Sequence, residues 1–159
     1  QDYTVRARVT EGLNLAATPK QEIATDGSTT EADLTRVATA WNARSGGAGA
    51  TSKYVTSVLI TNATGATNGI ITVLYRAAAG AGATTLTLSP QVRTAAGTAA
   101  TTLGAALVTT PPTIGTLDWL CTSAAGTGAG TQTVTGNFTA PTGAGIGTLP
   151  ARFAPAQCR

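Results

Sequence analysis

The side chains that most often carry catalysis are absent from this sequence or scattered along it. The chain has no His, so it lacks the commonest general base and the commonest transition-metal ligand. Its seven Asp and Glu residues are scattered, and its glycine-rich stretches form no phosphate-binding motif. Lys20 and Lys53 belong to no motif that would activate a Ser or Thr nucleophile. We therefore expect no cofactor, no metal site and no enzymatic activity.

The two cysteines are the remaining reactive side chains. An even number of cysteines in a Thr-rich, Lys-poor chain favours a disulfide between Cys121 and Cys158, formed in an oxidising compartment. Two free buried thiols are the alternative. A bridge would close a loop of about 38 residues and stabilise the fold by roughly 4 kcal/mol in the chain-entropy model. It would also hold the C-terminal tail in place.

Length and composition indicate one folded domain with a thin core. The chain has 159 residues, of which 42% are hydrophobic and 11% charged, and disorder usually requires the opposite balance. The net charge of +3 comes from single basic residues spread along the sequence, which does not indicate nucleic-acid binding. No stretch is long and apolar enough to span a bilayer, and no signal peptide is visible.

The first 26 residues have the period of an amphipathic helix. Its apolar stripe consists of Val5, Val9, Leu13, Ala16 and Ala17. Pro19 predicts either a kink, which we favour, or a break at which a second helix begins. No initiator Met or lead-in precedes the helix, so we expect it to begin upstream of Gln1.

A second helix and several strands should follow. Ser28-Thr29-Thr30-Glu31 has the spacing of a capping box and begins a helix that ends near Ser45-Gly46-Gly47. The apolar face of this helix consists of Leu34, Val37, Ala38 and Trp41. We expect strands at 54–61, 70–76, 84–89 and 117–122, the first two as an antiparallel hairpin and the third ending at Pro90.

The remaining stretches give weaker patterns. Residues 91–116 read as a long surface loop with some strand, 126–130 as a turn and 132–135 as a short strand. We expect Phe153 to anchor the C-terminal tail, and Trp41 and Trp119 to lie in the core rather than to serve as sugar platforms.

Three segments occur in an order that is typical of one family. They are Gln1–Leu13, Lys53–Val58, and Trp119-Leu120-Cys121 together with Ala156-Gln157-Cys158-Arg159. They resemble, in turn, three parts of bacterial type IVa major pilins: the segment after the apolar half-helix, the opening of the sheet, and the disulfide pair that bounds the C-terminal region.

This resemblance implies an α+β ladle fold in a single domain. Residues 1–26 would form the C-terminal half of a long helix, and 27–52 an αβ-loop with a short helix. Residues 53–120 would form an antiparallel sheet of about four strands, and 121–158 the disulfide-bounded region. Pro19 and the stretch 91–116 depart from the family pattern.

The resemblance also implies a function, partners and a location. The protein would be a structural subunit that polymerises into a retractile fibre for twitching motility, adhesion, biofilm formation, DNA uptake and phage attachment. Its partners would be other pilin subunits, minor pilins and the assembly machinery, together with host-cell glycans, DNA or phage. Before assembly, an apolar half-helix absent from this sequence would anchor it in the inner membrane, with its head in the periplasm. The chain would then be a truncated, soluble head that does not polymerise as the intact subunit does.

The resemblance further implies an assembly role for one face of the first helix. Its residues Val5, Val9, Leu13 and Ala16 would pack against the sheet or against neighbouring subunits. Three other functions stay open: a minor pilin, a type II secretion pseudopilin, and a monomeric carbohydrate-binding adhesin module. Pseudopilins commonly bind calcium, and the few acidic residues here argue against that alternative.

Overall fold

A long first helix packs on one antiparallel sheet in the computed structural model, which describes residues 2–124 and 137–159. The fold is therefore the predicted α+β arrangement. The turn predicted at 126–130 and the strand predicted at 132–135 lie outside the described residues, as does Gln1.

The first helix, α1, comprises Asp2–Asp26 and continues through Pro19 as one element. The predicted end of the helix at residue 26 is confirmed, and the alternative of a break at Pro19 is wrong. A kink at that position stays a prediction. The buried residues of α1 recur at helical spacing and are Val5, Val9, Gly12, Ala16, Pro19 and Ile23.

The second helix, α2, comprises Glu31–Asn42, and a short α3 at Arg44–Gly47 follows it. The N-cap of α2 is Thr30, whose hydroxyl accepts a hydrogen bond of 3.1 Å from the Asp33 N–H. The N-cap therefore lies two residues after the predicted Ser28, and the Asp33 carboxylate accepts a 2.7 Å hydrogen bond from the Thr30 hydroxyl. The predicted apolar face is confirmed, since Leu34, Val37, Ala38 and Trp41 are all buried.

The antiparallel sheet consists of β1 (Val55–Ile60), β2 (Ile71–Tyr75), β3 (Thr85–Arg93), β4 (Thr101–Thr102) and β5 (Thr116–Thr122). The predicted β1–β2 hairpin and the strand leading to Cys121 are confirmed. Since β4 has only two residues, the sheet has four longer strands and one short one.

The central strand β3 is longer than predicted, because it continues past Pro90. On one edge β5 pairs with residues 87–93 of β3. On the other edge β2 pairs with residues 85–88 and β4 with residues 91–92. Pro90 thus lies in the gap between β2 and β4, where that second edge of β3 has no partner strand. Proline is compatible with this position because it has no N–H that would need a partner there.

The stretch 91–116 was predicted as a long surface loop with some strand; the strand is confirmed, but the surface loop is wrong. This stretch contains the end of β3, the strand β4 and a short helix, α4, at Leu103–Leu107. Leu103, Ala106 and Leu107 are buried in the core, so burial rather than local sequence pattern stabilises this helix.

The C-terminal tail packs back on the fold through short 3₁₀ turns. These turns comprise Gly143–Gly145, Ala151–Phe153 and Ala156–Cys158, and a further one at Ala77–Ala79 follows β2. Phe153 is buried, as predicted. The Arg6 Nε donates a 2.8 Å hydrogen bond to the Arg152 carbonyl, which fixes the tail to the first turns of α1.

Candidate functional site

The inner face of α1 approaches the sheet very closely at one point. The hydroxyl of Tyr75, which is 0% exposed, donates a 2.7 Å hydrogen bond to the Val9 carbonyl. Gly12 lies one turn further along, and a Cβ there would be 2.5 Å from the Tyr75 Oη. Glycine therefore permits this contact between helix and sheet. Burial raises the pKa of Tyr75 well above its ordinary value, so the phenol stays protonated and donates.

The predicted assembly face of α1 is mostly turned towards the sheet. Val5 is 8% exposed, and Val9 and Ala16 are 0% exposed. Leu13 is half-buried at the edge of this face. Ala17 was assigned to the same stripe but is exposed, and Gly12 was missed. These residues hold α1 on the sheet, and their part in assembly stays a prediction.

The outer face of α1 is an uncharged stripe of exposed residues. Its members recur at spacings of three and four and are Tyr3, Ala7, Thr10, Asn14, Ala17, Thr18, Gln21, Ala24 and Thr25. The stripe is about 33 Å long at the rise of an α-helix. Tyr3, 85% exposed, is its one large side chain. Small uncharged residues allow another helix to pack closely, so this face suits contact between helices more than binding of a small ligand.

The disulfide joins the sheet to the chain's C-terminal tail. Cys121 in β5 is bonded to Cys158, with the two sulfur atoms 1.98 Å apart. This confirms the predicted pairing and excludes the alternative of two free thiols. The Arg159 Nε adds a 3.0 Å hydrogen bond to the Ala154 carbonyl. The tail is thus fixed by a covalent bond, by Phe153 and by polar contacts.

A small cavity of about 220 Å³ lies beside the disulfide. It is lined by Leu13, Lys20, Leu88, Trp119, Cys121, Gln157 and Cys158. The Lys20 Nζ is 5.3 Å from the centre of the Trp119 ring, and burial lowers the pKa of Lys20 from its ordinary value. Trp119 was predicted to be core but is only half-buried, because it forms a wall of this cavity.

Trp41, in contrast, is buried as predicted. Its Nε1–H donates a 2.7 Å hydrogen bond to the Val58 carbonyl in β1. This bond and the neighbouring pair of bonds between the Asn42 side chain and Ile60 fasten α2 to the sheet.

The described part of the chain contains neither a cluster of metal-ligating side chains nor a helix that could cross a membrane. Among residues 2–124 and 137–159, no three His, Cys, Asp or Glu side chains lie together as a metal ion would need. No helix of the described part is both long enough and apolar enough to cross a membrane.

Comparison with known proteins gives a match over nearly the whole chain. A family model described as "Pilin (bacterial filament)" matches residues 5–159. The crystal structure of a type IV pilin from Pseudomonas aeruginosa strain Pa110594 is 45% identical in sequence, covers 100% of both chains and has a TM-score of 0.84. No curated protein matches the chain.

Proposed function

This chain belongs to the pilin family, and we propose that it is the major structural subunit of a retractile type IV pilus. Family membership implies a subunit of a bacterial surface filament, which is extracellular. The finer proposal is that this filament serves twitching motility, adhesion, biofilm formation, DNA uptake and phage attachment. The observation that best supports the proposal of a type IV pilus subunit is the 45% identity to a type IV pilin across 100% of both chains.

The geometry of α1 supports polymerisation. A filament grows by heterologous contacts, in which one surface of a subunit binds a different surface of the next. The inner face of α1 is used within the head, while the neutral outer face from Tyr3 to Thr25 is exposed. We propose that this outer face packs against neighbouring subunits.

The fixed C-terminal tail supports a load-bearing role. A retracting fibre pulls on every subunit, and a head that opened under force would weaken the fibre. The disulfide between Cys121 and Cys158 limits how far the tail can be extended, and the bond from Arg6 to the Arg152 carbonyl connects it with α1. We propose that these contacts keep the head folded during retraction.

We also propose that, before it is assembled into the fibre, the subunit resides in the inner membrane with its head in the periplasm. There the assembly machinery and minor pilins would be its partners. Formation of the disulfide in an oxidising compartment is consistent with this stage. Membrane fractions of cells that lack the assembly machinery should then contain the subunit, with the disulfide already formed.

The proposal is tested by deleting the gene in the bacterium that encodes it. We expect the deleted cells to lose surface fibres and twitching motility, and the gene supplied in trans to restore both. Unchanged piliation would refute the role of major subunit. Mass spectrometry of sheared wild-type fibres separates the alternatives, because a minor pilin would be scarce in them. Saturable glycan binding by the isolated head would favour the adhesin alternative.

A further inference from the structure

A group of basic side chains surrounds Tyr54 at the end of the head where α1 begins. The guanidinium of Arg8 is 5.1 Å, and the Nζ of Lys53 5.5 Å, from the centre of the Tyr54 ring. The Arg76 Nε donates hydrogen bonds of 3.2 Å and 3.3 Å to the carbonyls of Ser52 and Val55, on either side of Lys53 and Tyr54, which brings a third cation to this segment. Residues far apart in the sequence thus form one basic group.

This group has few acidic neighbours. Arg6 and Arg152 lie at the same end, joined by the hydrogen bond from the Arg6 Nε. The acidic residues in this half of α1 are Asp2, in the first turn, and Glu11, in the third turn. In the described part of the chain, none of the five cations forms an ion pair. We call these five residues (Arg6, Arg8, Lys53, Arg76 and Arg152) the basic end.

The opposite end of α1 carries the opposite charge. Of its four carboxylates, Asp33 pairs with Arg36 at 3.2 Å and Glu22 with Arg44 at 2.8 Å. Asp26 and Glu31 have no ion-pair partner among the described residues. We call Asp26 and Glu31 the acidic end.

Asp26 is also placed unfavourably within its own subunit. It is the last residue of α1, which has no basic residue in its last turn, and the carbonyl groups of a helix C-terminus already carry partial negative charge. The Arg36 Nη2 donates a 3.4 Å hydrogen bond to the Asp26 carbonyl, whereas the exposed carboxylate has no such partner. A cation from outside the subunit would relieve this repulsion.

The two ends cannot neutralise each other within one subunit. Arg8 and Asp26 are separated by about 27 Å along α1. The Debye length at physiological ionic strength is about 8 Å, so their mutual attraction is almost fully screened. Each end can therefore bind an oppositely charged group of another molecule without giving up an ion pair within its own subunit.

We propose that the basic end of one subunit binds the acidic end of the next subunit, in a head-to-tail contact that repeats along the fibre. This contact rests on the proposed function as a filament subunit and specifies where adjacent heads meet. The two surfaces differ and lie at opposite ends of the head, so the contact is heterologous and extends without closing. Opposite charge also fixes the polarity of assembly, because turning a subunit round would place like charges together.

The test is a charge-swap experiment on the full-length subunit, produced in the bacterium that assembles it. R8E/K53E reverses the basic end and D26K/E31K reverses the acidic end. Removal of two exposed ion pairs, each worth about threefold, predicts a loss of about tenfold in sheared fibre, and reversal adds repulsion, so each double variant should lose more than about tenfold. The variant that combines all four substitutions should return the yield to within about twofold of wild type.

A control with the same change in charge guards against an effect of net charge alone. K20E/A96E/A99E changes the net charge by the same four units outside both ends, and it should leave the fibre yield near wild type. Immunoblots of total subunit show whether a variant has simply failed to fold. Neutral R8Q/K53Q, which adds no repulsion, should lose only about threefold to tenfold.

Three results would overturn the proposal: full fibre yield from both double variants, no rescue in the combined variant, or loss confined to R8E/K53E. The last result would mean that the basic end binds a polyanion instead of a second copy. These failures differ from failure of the proposed function, because in each of them wild-type fibres still contain this chain.

Discussion

Replacing Gly12 with Ala should destabilise the head, although Ala is the better helix former. The substitution gains about 1 kcal/mol of helix propensity. The new Cβ, however, would be 2.5 Å from the Tyr75 Oη and 2.7 Å from its Cε1. It would therefore clash with the Tyr75 side chain, which is 0% exposed. Overpacking of this kind costs about 1–3 kcal/mol, and displacing the phenol from the Val9 carbonyl costs a further 1–3 kcal/mol or so. We expect a net loss of about 3 kcal/mol, within a range of about 1–5 kcal/mol.

Urea unfolding of residues 1–159 measures this effect, and a second background tests its cause. In Y75L the ring is gone, so G12A should become neutral or stabilising by up to about 1 kcal/mol. N14A, on the exposed face of the same helix, reports propensity without the contact and should stabilise by about 0.5 kcal/mol. If G12A stabilises the wild-type chain as N14A does, α1 does not pack on Tyr75 as described.

Three further predictions concern the stability of the head. C121S/C158S opens a loop with a sequence separation of 37 and should lower the free energy of unfolding by about 4 kcal/mol; a loss under about 1 kcal/mol in urea would contradict this. Because the pKa of Tyr75 is raised on folding, its contribution is complete below the unfolded pKa of about 10 and declines above it, by up to about 1.4 kcal/mol per pH unit. Y75F should remove that slope in unfolding series above pH 10, and an equal slope in both proteins would refute the assignment. T30A should cost about 1 kcal/mol in thermal unfolding through the lost N-cap, and T30S much less; equal losses would exclude capping.

Much of the fold follows from periodicity. The apolar spacing of α1 and α2 and the β-branched runs of β1 and β2 predict these elements, because each buries one regular face. The disulfide was favoured by an even number of cysteines in a Thr-rich, Lys-poor chain, but only the folded chain excludes two free thiols. The ladle fold itself was expected only from the family resemblance.

The differences arise where tertiary contacts outweigh local pattern. Gly12 has no apolar side chain, so a search for hydrophobic periodicity passes over it, although its spacing of seven from Val5 places it on the stripe. From sequence alone, Pro90 predicts the end of a strand. The strand continues because Pro90 lies in the gap between β2 and β4, which pair with β3 on either side of it, and this gap is visible only in the folded chain. α4 has five residues, too few to show a helical period, and forms through burial of Leu103 and Leu107.

The charge distribution could not be read from the sequence for a similar reason. The basic residues occur singly along the chain and form no run. Arg8 and Lys53 come together because α1 brings Arg8 against the ring of Tyr54, the residue that follows Lys53 in the chain. Such a group depends on the packing of distant segments and becomes visible only in the folded chain.

Electron cryo-microscopy of fibres sheared from the bacterium tests the central claim most directly. If the chain is the major subunit, every repeating unit of the reconstruction should fit this fold, with the bond between Cys121 and Cys158 in each head. The outer face of α1 should pack against neighbouring subunits. A reconstruction whose side-chain density fits a different protein throughout would contradict the account.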